Sequence, residues 1–444
     1  MELITKQKSE ENWYQTLTFK AVMIGVLVLL LLIPLGMVKS VIRERQATEA
    51  EVERELFEKW GGEQVVTGPV LHVPTYYYVK EGKELKKHKR WLHIMPEDLM
   101  IKGAVEPEIR YRGIYKKVLY NSDFIITGKF NDLSKVDVVA DEIEWGNAYV
   151  TLGISDNRGI KGELLFDWNG SAAEPEAGLI IQDLNTSGVS MKAPVLEDQL
   201  NQKLPFEAKF RLSGAKGLWF NPVGKKTSVQ INSSWNNPSF VGDFSPIDPI
   251  VREEGFEAKW TVTHLNRNFP QYWLGRSYQI DTHQLGVNLY DPVNHYQKSL
   301  RSAKYGILII SLTLLVFLFI ELVKKKEVQI IQYLLVGLAL VLFFSILTAL
   351  SEHIGFAWAY LVASLAIISM VTSYSYGMIK DKQQAFWIFI MLGILYAFLY
   401  ILLQLNDFAF LAGNIGLLLA LGAIMKASLK IKTSRASLKE SLIQ

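Results

Sequence analysis

The sequence predicts a multi-pass α-helical membrane protein with a large β-rich extracytoplasmic domain between its first and second membrane helices. Three observations lead to this fold class. One apolar stretch lies near the N-terminus, at 21–38, and a series of apolar runs fills 305–425. Between them lies a long polar region with β-type patterning. Because about 20 uncharged residues let a helix cross the hydrocarbon core, the apolar runs predict six transmembrane helices, one N-terminal and five C-terminal.

Composition excludes several classes of function. The 444-residue chain has a net charge of only +3, which is too small for the clustered basic face that nucleic acid binding requires. It contains no cysteine, and this excludes disulfides, Cys-ligated zinc and thiol catalysis. The lipid bilayer is therefore the first expected partner, and nucleic acid is not expected.

The N-terminal region is predicted to anchor the chain. Residues 1–20 form a polar lead, and 21–38 is uncharged throughout, between Lys20 and Lys39. No small-x-small cleavage site follows this stretch, so it predicts an uncleaved transmembrane helix rather than a signal peptide.

A charged helical stalk is predicted at 40–62. Opposite charges recur at a spacing of four residues, which brings them together on one helix face, as in Arg45–Glu49 and Arg54–Glu58. The pair Gly61-Gly62 then predicts the end of the helix.

The region 64–300 is predicted to be a periplasmic β-rich domain. Its β-branched and alternating segments are separated by Gly, Pro, Asn and Asp. These segments are Val65–Val73, Phe124–Phe130, Ala148–Ile154, Phe206–Leu212, Ser228–Ile231, Phe256–Thr263 and Val287–Tyr290. They favour a sandwich-like domain, with either one large core or two smaller ones.

The block 305–425 is predicted to hold the remaining helices, followed by a basic tail at 426–444. The five helices are placed at Tyr305–Val323, Tyr333–Leu350, Ile354–Ile379, Ala385–Leu403 and Phe408–Met425.

The joints between these helices predict the orientation. Lys and Arg near membrane ends stay in the cytoplasm, and they concentrate at 324–326, at 380–382 and in the tail. The joints at 351–353 and 404–407 carry neither residue. Both termini are therefore predicted to be cytoplasmic, and residues from about 40 to 304 periplasmic.

Templates for chemistry are not matched. The seven His residues show no metal-binding spacing, and there is no G-x-S-x-G motif. No catalytic residue, metal or cofactor is predicted, and the chain is not expected to be an enzyme, although a hydrolase of envelope polymers stays a minor alternative. Glu321, near the end of an apolar run, is expected simply to reach the membrane interface, so ion-coupled transport is disfavoured.

Two groups of residues are candidates for structural roles. Glu352, His353 and Asp407 lie at the joints without Lys or Arg. They are titratable groups that could have a functional role, or they could form a seam that fixes the β domain to the helices by hydrogen bonds, and the second interpretation is favoured. Small residues at a spacing of four suggest tight helix packing. They are Gly355, Ala359 and Ala363 in one helix, and Ala412, Gly416 and Ala420 in another.

One basic run, Lys86–Arg90, lies within the β region. It has two interpretations, contact with anionic headgroups or a solvated hairpin tip, and the second is favoured.

Several separated motifs, in order from about Thr18 to Met425, resemble the CreD-type inner-membrane proteins of bacteria. They are Ile42–Arg45, Gly68–Leu71, Tyr111–Tyr115, Leu152–Asp156, Trp235–Phe240, His264–Pro270, Pro292–Tyr296, Gln332–Gly337 and Ser351–Gly355.

The resemblance implies a multi-pass inner-membrane protein associated with cell-envelope integrity under a two-component stress response, with no established enzymatic activity. Envelope proteins or lipids are then candidate partners of the β domain, and the oligomeric state is left open. The alternative is a transporter or regulator of a lipid-like or uncharged envelope molecule.

Overall fold

The chain divides into a helical unit and a β-rich unit. The structure, a computed structural model, describes residues 17–81, 84–289, 295–324 and 328–405, and beyond them 411–416, 418–419, 421–422 and 425–426. The helical unit comprises Met1–Glu49 and Val293–Gln444, and the β-rich unit comprises Ala50–Pro292.

Six complete helices are described. They are α1 (Leu17–Trp60), α2 (His295–Lys304), α3 (Gly306–Lys324), α4 (Ile330–Ile354), α5 (Phe356–Ile379) and α6 (Lys382–Gln404). Residues 411–416 are also helical.

Helix ends follow local chemistry. Gly61, at φ +96°, ends α1, and its N–H and that of Gly62 donate to the Phe57 carbonyl. Gly355, at φ +79°, separates α4 from α5. The Asp381 carboxylate caps α6 by accepting from two backbone N–H groups of the first turn.

The predicted six spans are supported only in part. Within the described ranges, α1, α4, α5 and α6 are long and apolar enough to cross a membrane. The predicted helix Tyr305–Val323 is instead α3 joined to α2 at a bend of 41°, and this pair makes a fifth span if it is counted as one. The predicted helix Phe408–Met425 falls partly outside the described residues.

The described residues of the β-rich unit form eighteen strands in two sheets. The strands are β1 (Gln64–Glu81), β2 (Glu84–Ile94), β3 (Asp98–Arg112), β4 (Tyr115–Asn131), β5 (Glu142–Ile143), β6 (Tyr149–Ile154), β7 (Ile160–Trp168), β8 (Ser171–Ala173), β9 (Pro175–Ala177), β10 (Gly188–Lys192), β11 (Lys203–Ala215), β12 (Gly217–Asn221), β13 (Lys226–Ser233), β14 (Pro238–Gly242), β15 (Ile247–Arg252), β16 (Gly255–Thr263), β17 (Tyr272–Leu274) and β18 (Leu285–Leu289).

The first sheet has the order β14-β18-β12-β1-β6-β10-β9, with β2 and β5 on β1, and β17 on β2. The second has the order β15-β16-β13-β3-β4-β11-β7-β8. Buried apolar side chains from both sheets form one cluster, including Tyr120, Phe124, Phe220 and Trp260. The domain therefore has one large core rather than two.

Each of the seven segments predicted as strands overlaps a strand, so the β-rich prediction is confirmed. The run Lys86–Arg90 lies inside β2, in the outer part of the β1–β2 hairpin, and all of it except His88 is exposed. Its exposure agrees with the favoured solvated interpretation, although the run belongs to a strand rather than to the tip.

The two sheets differ in how they meet solvent. In β11 of the second sheet, exposed and buried residues alternate over most of the strand, as expected when one face packs on the core. In the first sheet, β1 is buried on both faces from Val66 to Thr75. Side chains on its non-core face are therefore enclosed, and this enclosure creates the site described next.

Candidate functional site

Two histidines meet in the buried part of the first sheet. His72 on β1 and His93 on β2 are direct cross-strand partners, and both side chains are fully buried. Their Nδ1 atoms lie 2.7 Å apart, so one proton is shared between them as a hydrogen bond. Alternation along the two strands places both rings on the same face.

The pair continues into a longer chain of polar groups. His72 Nε2 lies 2.7 Å from Thr151 Oγ1 on β6. At the other end, His93 Nε2 lies 3.4 Å from the Asp183 carboxylate, an electrostatic contact longer than a strong hydrogen bond. Arg276 donates from Nε to the same carboxylate at 2.7 Å. We call His72, His93, Thr151, Asp183 and Arg276 the histidine chain.

Hydrogen-bond chemistry assigns the protons of this chain. The Asp183 carboxylate can only accept, so it favours a proton on His93 Nε2. His93 Nδ1 then accepts from His72 Nδ1, and His72 Nε2 accepts from the Thr151 hydroxyl. Every group has a consistent role with both imidazoles neutral.

Burial keeps the imidazoles neutral. It lowers the pKa of His93 from 6.5 to about 4, although the nearby Asp183 carboxylate opposes the change. Burial, together with the charge that His93 would carry, holds the pKa of His72 well below its usual value.

The chain connects two irregular segments to the sheet. Asp183 belongs to 178–187, between β9 and β10, and Arg276 follows β17. Next to Asp183, Asn185 packs on Gly153 of β6, where an added Cβ would meet its amide at 2.7 Å. Thr151 is buried, so its hydroxyl is not presented to a substrate. These polar contacts hold the two irregular segments against the sheet.

A second buried polar cluster lies in the helical unit around Glu321, near the end of α3. The Tyr333 hydroxyl, on α4, donates to Glu321 Oε2 at 2.6 Å, and Val328 N donates to Oε1 at 3.3 Å. The Lys20 ammonium on α1 forms an ion pair with the same Oε1. We call these four residues the Glu321 cluster. The expectation that Glu321 simply reaches the interface did not include these contacts, which bury its side chain among protein groups.

Two glycines let α1 approach the other helices closely. A Cβ at Gly337 of α4 would lie 2.2 Å from Leu31 Cδ1, and one at Gly306 of α3 would lie 3.1 Å from Leu35. The N-terminal helix therefore packs against α3 and α4 within this unit, and the Glu321 cluster fixes its register.

The three seam candidates are not brought together among the described residues. Glu352 accepts a hydrogen bond of 2.8 Å from the Tyr296 hydroxyl, which lies on α2 of the same unit. His353 is exposed. Asp407 lies outside the described residues, so the seam stays a prediction.

The packing candidates have mixed environments. Ala359 and Ala363 are fully buried in α5. Gly355 lies between helices, where an added Cβ would meet nothing within 4 Å. Gly416 packs against Phe398, Ala412 is half-buried, and Ala420 lies outside the described residues.

Sequence reasoning missed both buried clusters. His72 lies in the predicted strand segment Val65–Val73, but its contact with His93 depends on the register of the β1–β2 pairing. Lys20 and Glu321 are 301 residues apart in the chain. The available signal was a Lys at the start of one apolar run and a Glu near the end of another.

Comparison with known proteins decides the family. The profile of the family described as "Inner membrane protein CreD" matches residues 16–434. The inner membrane protein CreD of Escherichia coli strain K12 is 32% identical over 428 residues, which cover 94% of this chain and 92% of the relative. This chain belongs to the CreD family. Its several apolar helices agree with the inner-membrane character of CreD.

Solved structures add no argument beyond the CreD family. Two crystal structures of an M1 zinc metallopeptidase from Deinococcus radiodurans, one of them a substrate-bound mutant, align over 44% of this chain and 42% of theirs. Their identities are 10% and 11%, and both TM-scores are 0.19. A likeness this weak carries no conclusion about activity.

Proposed function

We propose that this protein is a non-enzymatic component of the bacterial inner membrane that supports cell-envelope integrity through its β-rich unit. The observation that carries the proposal is that a member of an inner-membrane protein family contains a large β sandwich with a single core. A sandwich of this size presents a wide surface for partners, whereas its buried ionisable groups are enclosed.

The closed form of the histidine chain supports a non-enzymatic role. A catalytic His must reach the proton that it transfers in a bound substrate. His72 and His93 are buried and are engaged with Thr151 and with each other. Two hollows of about 720 and 820 Å³ border β8 and β9, and other residues line them.

The proposed topology has six spans, with both termini in the cytoplasm and the β-rich unit in the periplasm. The basic joints and tail support it. Basic residues of α2 would argue the other way, but protein groups hold two of them. Arg301 donates to the Leu405 carbonyl at 2.9 Å, and Lys298 lies 5.7 Å from the Phe356 ring centroid. These charges do not decide the orientation, because a long translocated domain weakens the rule.

Deletion of the gene in its host tests the envelope role. We expect greater dye entry and lower detergent tolerance, restored by the intact chain but not by a chain without residues 64–292. Unchanged permeability and tolerance after deletion would contradict the proposal. Hydrolysis of an envelope polymer by the purified chain, lost in the His93→Gln variant, would contradict the non-enzymatic part.

A groove in the helical unit favours the second candidate, a carrier of a lipid-like molecule. It has a volume of about 650 Å³ and is lined by α1 at Pro34 and Val38, by α4 and by α5. Most lining side chains are apolar, and Ser345 and Tyr374 add hydroxyls. A groove of this kind suits an acyl chain or another uncharged apolar molecule.

Filling the groove separates the two candidates. The Ala339→Trp variant places an indole among the lining residues, while Ala366→Trp on the exposed side of α5 is the matched control. If the protein is a carrier, only the first variant loses a co-purifying lipid and the envelope phenotype. If it acts through the β-rich unit, both variants restore integrity.

A further inference from the structure

The outer parts of β1 and β2 form a two-stranded arm. The two strands pair from Leu71↔Ile94 out to Glu81↔Glu84. The other partners of β1 end at Tyr76, and β17 pairs β2 only from Leu92 to Ile94. Beyond these points the strands pair, among the described residues, only with each other. We call residues 77–81 and 84–90 the hairpin arm.

Such an arm needs side-chain support, because an isolated two-stranded ribbon is only marginally stable in water. Stacking of cations on aromatic rings supplies part of this support. Lys87 Nζ lies 3.7 Å from the Tyr76 ring centroid, and the Arg90 guanidinium lies 4.6 Å from that of Tyr77. Lys89 similarly lies 4.1 Å from the Trp91 ring. The rings hold a row of positive charge along the arm.

Exposed apolar side chains lie close to the far end of the arm, directly behind its outermost pair, Glu81↔Glu84. Leu85 is 70% exposed, Tyr78 46% and Val79 39%. Cross-strand pairing sets Leu85 beside Lys80, and Val79 beside Lys86. Alternation along the strands puts Leu85, Lys80 and Lys89 on one face of the arm, so this face combines an exposed aliphatic side chain with cations.

A second long hairpin of the same unit, β3–β4, provides a comparison, because ion pairs neutralise its cations. Lys117 pairs with Glu53 at 2.5 Å, Arg110 pairs with Glu108 at 2.6 Å, and Arg112 pairs with Glu55. Carboxylates of α1 and of the hairpin itself thus oppose these charges.

The hairpin arm keeps more of its positive charge. Lys87 pairs with Glu142 at 2.8 Å. Within the part of the chain that the structure describes, no carboxylate forms an ion pair with Lys80, Lys89 or Arg90. This surplus charge is available to an anionic partner.

We propose that the hairpin arm binds the surface of a bilayer that contains anionic phospholipids. Lys80 and Lys89, on the same face of the arm as Leu85, would attract the headgroups, while Leu85 would enter the boundary of the acyl region. Arg90, on the other face, adds to the attraction at longer range. The exposed Leu85 favours a bilayer over an anionic glycan, because a polar glycan chain would leave this side chain in water. This binding is independent of the envelope role proposed above.

A fluorophore at the end of the arm tests the proposal in the full-length protein. The chain has no cysteine of its own, so Leu85→Cys carries a single environment-sensitive dye. The protein is placed in phosphatidylcholine nanodiscs and mixed with vesicles of phosphatidylcholine and phosphatidylglycerol in equal amounts, or of phosphatidylcholine alone. A second preparation uses nanodiscs that contain both lipids. We expect a blue shift with phosphatidylglycerol in the nanodisc or in the vesicles, reversed by high salt.

Matched variants identify the groups responsible. Leu165→Cys, an equally large exposed side chain on β7, carries the same dye and should show no shift. Removing one cation near an anionic surface weakens binding roughly fivefold, so Lys80→Gln/Lys89→Gln/Arg90→Gln should weaken binding about a hundredfold. The variant Arg110→Gln/Arg112→Gln/Lys117→Gln, with the same change in net charge, should bind as the parent does.

Three results would overturn the proposal. One is unchanged dye emission at Leu85 with phosphatidylglycerol in both preparations. Another is an equal shift with phosphatidylcholine alone, which would remove the role of the cations. The last is a shift with a soluble sulfated glycan but not with anionic vesicles, which would make the arm a glycan-binding element.

Discussion

The Glu321 cluster of the helical unit and the histidine pair of the β-rich unit bury ionisable side chains in opposite ways. In the Glu321 cluster, an acid is enclosed together with a cation and a phenol from two other helices. In the histidine chain, two bases are enclosed as neutral rings that share a hydrogen bond. A buried charge is costly unless it is paired, and a group that cannot be paired shifts its pKa and becomes neutral. The Glu321 cluster pairs its buried charge, whereas the two imidazoles of the histidine chain stay neutral.

This difference predicts which change should destabilise each cluster most. The Glu321 cluster should be sensitive to loss of Lys20, because the buried Glu321 carboxylate would then lack a cation beside it. The histidine chain should be sensitive to acid, because protonation creates charge where none can be solvated. The variants below test this contrast.

The largest effect is expected for Lys20→Met, which leaves the Glu321 carboxylate buried without its cation. Breaking one side of a buried ion pair costs about 3–5 kcal/mol. The apparent midpoint of thermal unfolding in detergent should fall clearly, and Lys20→Met/Glu321→Gln should recover most of the loss. The control is Lys59→Met, an exposed Lys on the same helix. Equal midpoints for Lys20→Met and the control would show that the pair is not stabilising.

Acid should weaken the β-rich unit next most strongly. The folded pKa of His93, about 4, lies below its ordinary value of 6.5, so the unfolded chain takes up the proton first as pH falls. The stabilisation is complete above about pH 6.5 and is lost between pH 6.5 and 4, which for this one group amounts to about 3 kcal/mol. Intrinsic tryptophan fluorescence, to which Trp273 contributes with its ring 5.7 Å from that of His93, can follow unfolding.

The variant His72→Leu/His93→Leu should flatten this pH dependence, since both buried titrating groups are gone. His264→Gln, at an exposed position, should keep the parent slope. A parent protein with constant stability from pH 6.5 to 4 would contradict the account of the histidine chain.

Asp183→Asn should have a smaller, local effect. Losing the carboxylate removes the partner of Arg276 and lowers the pKa of His93 further, because that carboxylate opposes the effect of burial. Segment 178–187 should exchange its amide hydrogens severalfold faster, equivalent to about 1 kcal/mol. The control is Asp243→Asn, which alters an exposed pair with His283. Equal exchange in both variants would show that Asp183 does not hold the segment.

The smallest effect is expected for Tyr296→Phe, which removes the hydroxyl that donates to Glu352. Glu352 is half-buried, so water hydrates its carboxylate more than that of the buried Glu321. We expect a loss of about 0.5 kcal/mol in the free energy of unfolding. Tyr305→Phe in the same unit is the control. A loss as large as that of Lys20→Met would remove the distinction between the two acids.

Local patterning was sufficient for much of the fold. Uncharged runs identified α1, α4, α5 and α6, and β-branched segments identified seven strands within the β-rich unit. The pattern failed at α2, whose Lys298, Arg301 and Lys304 hid a helix continuing into α3 through a bend.

The candidate sites depend on contacts that local patterning does not contain. His72 meets His93 only because the β1–β2 register aligns them, and a shift of one residue would move one ring to the other face. Asp183 reaches the pair from an irregular segment that has no periodicity. Lys20 and Glu321 meet only after α1 packs on α3 and α4. Small-residue spacing pointed to Ala359 and Ala363 but not to Gly337, which accommodates Leu31.

Measuring on which side of the membrane the β-rich unit lies tests its proposed envelope role most directly. Because the chain has no cysteine, Leu196→Cys in the β-rich unit and Ser437→Cys in the basic tail each give one reactive thiol. Leu196 is exposed. Cells with a permeabilised outer membrane are treated with a membrane-impermeant thiol reagent before and after lysis. We predict that Leu196→Cys reacts before lysis and Ser437→Cys only afterwards. Protection of Leu196→Cys until lysis would place the β-rich unit in the cytoplasm and contradict the proposed function.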